Sequence, residues 1–239
     1  MKNSDIHLVW KPVGLTPLEA IGKLRLKKPP LKDEKMTFAG RLDPLAEGVL
    51  VILAGEARFK KDQYLSFSKE YEVEILFGVS TDTGDVLGLV KETKFDSDIS
   101  AEDIKKVAER FIGKHSQTAP PFSSPGLSDK IFTREIELKD IEVSDCTPVF
   151  SEEILPEVFR KIALVGGDFR QDEILKTWSE VFIKPRKMMR CPLVVRSSAG
   201  AYMRLLAENI GAELGLPALA LAITRTKVGK WQKEDCLFL

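Results

Sequence analysis

Polar and apolar positions alternate most strictly over residues 69–77. Tyr71, Val73, Ile75 and Phe77 fall on one side of a two-residue period, and Glu70, Glu72 and Glu74 on the other. That period predicts a half-buried strand. The short β-branched run 49–53 predicts a buried strand, and further strands are predicted at 6–10, 131–143, 188–197 and 219–228. Residues 81–85 form a turn signal, with 86–90 expected to return as the second arm of a hairpin. Helices are predicted where the period lengthens. One starts at Thr16-Pro17, a hydroxyl cap followed by proline, with Leu18, Ile21 and Leu24 and also Leu15 inward. Others cover 56–67, 100–111, 151–165, 168–182 and 201–214. Capping boxes are read at Ser100–Asp103 and at Asp168–Gln171, and the last helix has an inward stripe of Leu205, Leu206, Ile210 and Leu214. Strand count, hairpins and flanking helices predict an α+β protein on a mostly antiparallel mixed sheet.

Composition adds bounds more than detail. A chain of 239 residues, 44% hydrophobic and 30% charged, buries a sizeable core and reads as soluble and globular. Thirty-six basic residues balance 36 acidic ones, so a nucleic-acid surface has to come from local clustering. One cluster stands out: Lys27, Lys28, Lys32 and Lys35, with Pro29 and Pro30 among them and no period, predict an exposed loop. It is either plain solvated surface or a phosphate-contacting loop. Arg58, Lys60 and Lys61 follow on the outer side of the next predicted helix. Cys146, Cys191 and Cys236 are odd in number, far apart and outside any metal-ligand spacing, as expected in a reducing cytoplasm. The start of the chain has no signal or transit pattern, and no apolar stretch is long enough to span a bilayer. His7 and His115 are isolated and read as structural.

Candidate chemistry concentrates between Gly40 and Gly48, which bracket a single carboxylate, Asp43, ahead of the 49–53 strand. By spacing alone, Asp43-Pro44 reads as the cap and first residue of a helical turn. The wider wording changes that reading. Gly40-x-Leu42-Asp43-Pro44-Leu45-Ala46-x-Gly48-Val49-Leu50, followed by Gly55-Glu56-Ala57, resembles the signature of the TruB family of tRNA pseudouridine synthases, which isomerise uridine 55 in the TΨC arm. Lys11-Pro12-x-Gly14-x-Thr16, Lys69-x-Tyr71, Thr81-Asp82-Thr83-x-Asp85-x-x-Gly88 and Gly200-x-Tyr202-x-Arg204 resemble further elements of that family. The resemblance covers about residues 6–125 and 190–230 and leaves 126–189 atypical.

It implies the pseudouridine synthase fold, one catalytic domain over 1–239 with its cleft across the middle of the sheet, and Asp43 as the catalytic residue. It implies that Tyr71 stacks on the target base and that Tyr202 lines its pocket. Arg204 would partner Asp43, Ile223 would form a pocket wall, and Arg225 would be a basic neighbour. Tyr202 and Arg204 reach one site only if they begin a helix entered from an extended strand, since residues two apart on a helix diverge by about 200°. Phe38, where bacterial members usually carry histidine, would help seal the slot. Lys27, Lys28, Lys32, Lys35, Arg58 and Arg225 are the expected phosphate contacts. The chain departs from the pattern at Pro17, where serine is usual, and after Gln117, where the longer basic thumb insertion is missing. It also ends too soon after its last strand for the usual RNA-binding domain of PUA type.

The reaction breaks and re-forms a glycosidic bond without redox change, so neither metal nor cofactor is expected. It asks for one ionised carboxylate, acting as nucleophile or as base on the ribose, in a nearly dry pocket. A guanidinium beside it favours the charged form, the part given to Arg204. No second carboxylate stands in a comparable motif, which argues against a plain glycosidase. The expected partner is the T-arm of tRNA, bound by a monomer in the cytoplasm with no membrane involved. Two other readings keep parts of this picture: a synthase acting on another RNA, and a tRNA-binding folding module with weak or no catalysis.

Overall fold

The computed structural model describes residues 5–97, 99–118 and 133–239. The shortened segment after Gln117, at 119–132, lies outside the described residues. In chain order the elements are β1 (Ile6–Lys11), α1 (Pro17–Lys27), β2 (Met36–Ala39), β3 (Ala46–Ala54), α2 (Lys61–Leu65), β4 (Lys69–Phe77), β5 (Val79–Thr81), β6 (Val90–Thr93), α3 (Ala101–Glu109), β7 (Gly113–Thr118) and β8 (Thr133–Val143). They continue with β9 (Thr147–Phe150), α4 (Ser151–Ala163), α5 (Gln171–Val181), β10 (Lys187–Ser197), α6 (Met203–Glu213), β11 (Ala218–Val228), β12 (Trp231–Gln232) and β13 (Leu237–Phe238).

The alternating strand β4 lies in the middle of the main sheet, whose order is β13-β1-β3-β11-β4-β10-β8-β7. Its pairings are antiparallel except for β1 with β13 and β3 with β11, so the mixed, mostly antiparallel sheet matches the expectation. Helices cover both faces. Tyr71, Val73, Ile75 and Phe77 pack with Ile104 and Val107 of α3 and with Met203, Leu206 and Ile210 of α6. On the opposite face Leu76, Leu219 and Leu221 meet Ile154, Val158 and Ile162 of α4 and Ile174 and Trp178 of α5. Helix α1 covers the edge of the sheet at Val9, Leu50 and Ile52.

Several expectations are corrected. The return arm of the small hairpin is β6, not 86–90. Residues 82–89 form a folded loop because Val86 and Leu87 turn into the core, and Gly88 packs so closely that a Cβ there would lie 2.4 Å from Thr83 Oγ1. Leu18 is 71% exposed, and Pro17 and Ala20 take the buried face of α1 beside Ile21 and Leu24. A box between Thr16 and Glu19 sets that helix's phase. The 56–67 helix is a 3₁₀ segment over Gly55–Lys60 leading into the short α2. The Asp168–Gln171 box does not form: Arg170, in left-handed backbone, is the cap of α5, and the Gln171 side chain reaches back instead, accepting from Phe169 N. On α6, Leu206 and Ile210 are buried as expected but Leu205 and Leu214 only partly, Met203, Ala207 and Gly211 completing the inward face. Cys146 and Cys191 are joined as a disulfide, leaving Cys236 as the free thiol. Cys191 is on β10, which pairs with β8 and β9 on either side of Cys146, and a sequence separation of 45 gave no sign of that proximity.

Candidate active site

The connection from β2 to β3 holds Asp43 in a turn, not at the start of a helix. Ala46 N donates to the Asp43 carbonyl at 3.0 Å, and the chain passes directly into β3. Leu42 and Leu45 on either side of the aspartate are buried in different apolar clusters, which anchors the turn at both shoulders.

Two buried cations tie its backbone from behind. Arg225, 1% exposed, donates from Nε to the Val49 carbonyl at 2.8 Å, from Nη1 to Arg41 at 3.2 Å and from Nη2 to Gly40 at 3.1 Å. Lys11, fully buried at the end of β1, donates from Nζ to the carbonyls of Leu15 at 2.7 Å, Pro12 at 3.1 Å and Pro44 at 3.4 Å. Gly14 N adds a 2.8 Å bond to Pro44 O. Gly48 lets the two strands close. Its φ is +119°, and a Cβ there would lie 2.2 Å from the Arg225 carbonyl oxygen, so only glycine permits the parallel pairing of β3 with β11 at this point.

The third cation meets the carboxylate itself. Arg204 is 4% exposed, and its Nε lies 3.0 Å from Asp43 Oδ2 and 3.9 Å from Asp85 Oδ2. Its Nη1 donates to the Thr83 carbonyl at 2.6 Å. Tyr202 caps α6 with extended backbone and Arg204 follows in the first turn, the arrangement that the two-residue spacing required. Burial alone would depress the Arg204 guanidinium, and the charges of Asp43, Asp85 and Glu208 more than reverse this, so it stays firmly protonated. Asp85 is pushed up by burial, against the pull of Arg204, while its Oδ1 accepts from Leu87 N and Thr83 Oγ1. Burial also raises Glu208, one turn along α6. Burial lowers Lys11 to about 7, with the charge of Asp43 opposing.

Tyr71 is 8% exposed on β4, opposite Arg225 in register. Ile223 stands beside Ala46 across the β3–β11 pair, and both Ile223 and Phe38 pack against the cluster containing Leu42. The Tyr202 ring lies under Arg134, 5.4 Å away. Phe38 carries Lys61 Nζ 5.4 Å above its ring. Lys32, Lys35 and Arg58 line one open concavity of about 390 Å³ together with Asp33, Glu34 and Glu56. Lys28 is exposed nearby, whereas exposed Lys27 donates to the Phe238 carbonyl at 2.6 Å. Arg225 does not belong with these surface residues: its guanidinium is used up on backbone inside the protein. Lys11, Thr83 and Asp85 were missed as site residues. The available signal was a lysine ending an otherwise apolar strand and an aspartate immediately before Val86-Leu87.

The structure thus sets one partly exposed carboxylate, Asp43, against a buried arginine beside strand β3, and comparison with known proteins gives the family. The description "TruB family pseudouridylate synthase (N terminal domain)" matches residues 28–145. The chain is 27% identical to tRNA pseudouridine synthase B of Aquifex aeolicus, covering 97% of this chain and 71% of that protein. It is 32% identical to the protein of the same name from Listeria monocytogenes (97% and 68% covered) and 31% identical to that of Psychrobacter arcticus (100% and 56%). The chain belongs to the TruB family of pseudouridylate synthases. Its fold is also that of a chain in the crystal structure of a Cbf5-Nop10-Gar1 complex, with a TM-score of 0.62 at 22% identity over 98% of this chain and 52% of that one.

Proposed function

We propose that this isomerase converts uridine 55 of the tRNA T-arm to pseudouridine, with Asp43 as the reacting carboxylate. The observation that carries the reading is the 3.0 Å contact between Arg204 Nε and Asp43 Oδ2. Arg204 is almost wholly buried while the Asp43 side chain keeps 24% exposure, so the pair has an inner, fixed partner and an outer, reachable one. The guanidinium gives the carboxylate a counter-charge and an orientation, and the backbone ties of Lys11 and Arg225 keep it from moving when a nucleoside arrives. The carboxylate then either attacks C1′ of the ribose or takes a proton from its C2′. In both cases the N1–C1′ bond breaks, the uracil turns and C5 bonds to C1′; the C5 proton is lost and N1 gains one, any proton taken from C2′ is returned, and atoms balance without a co-reactant.

The uridine has to leave its stack to reach Asp43, at a cost of a few kcal/mol. Aromatic stacking returns about 1–3 kcal/mol per base, and Tyr71 is the ring assigned to this, with Ile223 and Phe38 closing the apolar side. Lys32, Lys35 and Arg58, on a concavity they share with Asp33, Glu34 and Glu56, are the assigned phosphate contacts. A monomer working on tRNA in the cytoplasm completes the proposal.

Asp43→Asn tests it. The amide still accepts from Arg204 Nε, so unfolding should change little, and RNA affinity should stay within a few-fold. Pseudouridine at position 55 of a tRNA transcript should fall below detection. Appreciable product from the folded variant would remove Asp43 from the chemistry, and product at another position would change the target.

A further inference from the structure

Helix α5 lies outside the stretch matched by the family description, yet it reaches the loop that holds Arg204. Residues 82–89 present two sides. One side gives Arg204 its supports, the Thr83 carbonyl at 2.6 Å and the Asp85 carboxylate at 3.9 Å. The other side is gripped by α5 at both of its ends. Arg170, the cap residue, places Nη1 2.9 Å from Asp82 Oδ2, while Asp82 Oδ1 accepts from Leu89 N at 2.8 Å and closes the loop. Two turns later Trp178, completely buried, donates from Nε1 to the Gly88 carbonyl at 3.2 Å. Between those points Val86 and Leu87 pack in one cluster with Ile174 and Trp178.

Arg170 also holds an unusual backbone. Its φ of +62° is left-handed, a conformation that L side chains avoid, and glycine would adopt it more readily. An arginine thus stands where the backbone favours glycine, its N–H donating to Asp168 Oδ1 at 3.2 Å. Its side chain reaches Asp82, next to Thr83.

We propose that Arg170 is a positioning residue for the isomerisation: by holding Asp82 it fixes the 82–89 loop, and through Thr83 and Asp85 it sets Arg204 against Asp43. Trp178 fixes the far end of the same loop. The inference rests on the function proposed above, and it makes α5 part of the catalytic apparatus without any contact to RNA.

The experiment compares wild type, Arg170→Gly, Arg170→Lys and Trp178→Phe on one tRNA transcript, with single-turnover rate, RNA Kd and Tm measured for each. Glycine relieves the backbone, so Arg170→Gly should melt no lower than wild type. Its single-turnover rate should nevertheless fall about tenfold, as small misplacements of reacting groups do, with Kd unchanged within twofold. Lysine at 170 should restore most of the rate. Trp178→Phe keeps the ring but loses the Nε1 donor, and should slow the reaction in the same way. A rate unchanged in Arg170→Gly overturns the proposal. A weaker Kd at unchanged rate also overturns it and makes Arg170 an RNA contact. Wild type without turnover would instead mark failure of the functional reading, so the two failures are told apart.

Discussion

The Asp43 turn and the α4–α5 pair are held by opposite means. The turn is tied by buried cations donating to backbone carbonyls, Lys11 to Leu15 and Pro44, and Arg225 to Gly40, Arg41 and Val49. The helices are held by apolar burial of Ile154, Val158, Ile162, Ile174, Trp178 and Phe182. Their ion pairs, such as Lys161 with Glu157, run along the edge of that cluster. Apolar contact is non-directional and tolerates small shifts. Hydrogen bonds to fixed carbonyls do not, and a buried charge that loses its acceptors is expensive. Directional ties are therefore densest at the Asp43 turn, and in the helix pair they are confined to a few points such as Arg170 on Asp82 and Trp178 on Gly88, the rest being apolar burial.

Truncating each region should break the contrast most visibly. Arg225→Met strands the carbonyls of Gly40, Arg41 and Val49 and should cost about 3–5 kcal/mol while abolishing turnover, even under conditions where the variant is folded. Ile154→Ala should cost a comparable 2–5 kcal/mol or so, yet leave the rate per folded molecule within twofold. Urea denaturation with assays on the same preparations checks both. Equal effects on rate would erase the distinction.

A pH series sharpens it next. Lys11 is depressed to about 7 by burial, whereas an unfolded lysine titrates near 10.4. Across that window the unfolded chain binds the extra proton, so stability should rise with pH from about 7 towards 10, by at most about 1.4 kcal/mol per unit from this group. The gain is fully present above the unfolded value and lost as pH falls through the folded one. Burial lowers Lys69 to about 8, adding a slope of the same sign. The diagnostic is thus the difference from Lys11→Met, whose curve should be flatter. Identical slopes would mean that Lys11 does not titrate in the folded protein.

The smallest expected effect concerns the outer surface. Replacing Lys32, Lys35 or Arg58 by alanine should each reduce the slope of log affinity against log salt by about 0.9 on duplex RNA or a little less elsewhere. Lys176→Ala on α5 should leave the slope unchanged. A slope that responds to Lys176 but not to the other three would put the RNA on the helical side.

What the sequence disclosed follows the same division. The two-residue period of β4 and the apolar run of β3 are local signals, and both strands formed where they were expected. Asp43 and Arg204 were legible through motif wording, and their pairing followed. Asp85 and Lys11 stood in motif wording but were given no role, because their burial comes from distant segments: the Asp85 bridge to Ala220 and the Pro44 carbonyl above Lys11. Arg225 looked like a surface cation for the same reason, since nothing near it in the chain announces that β3 will cover it. The cap of α5 was misread because Gln171 has nearby carbonyls, those of Val165 and Gly167, that compete for its side chain.

The parallel pairing of β3 with β11 sets Ala46 beside Ile223, two residues far apart in the chain. During synthesis, Asp43 emerges early and waits. Arg204 and Arg225, which secure it, leave the ribosome much later. A chain interrupted before residue 204 therefore holds the Asp43 turn only through Lys11 and Gly14, without either arginine. The central sheet is likewise incomplete until β11, the strand between β3 and β4, has been made.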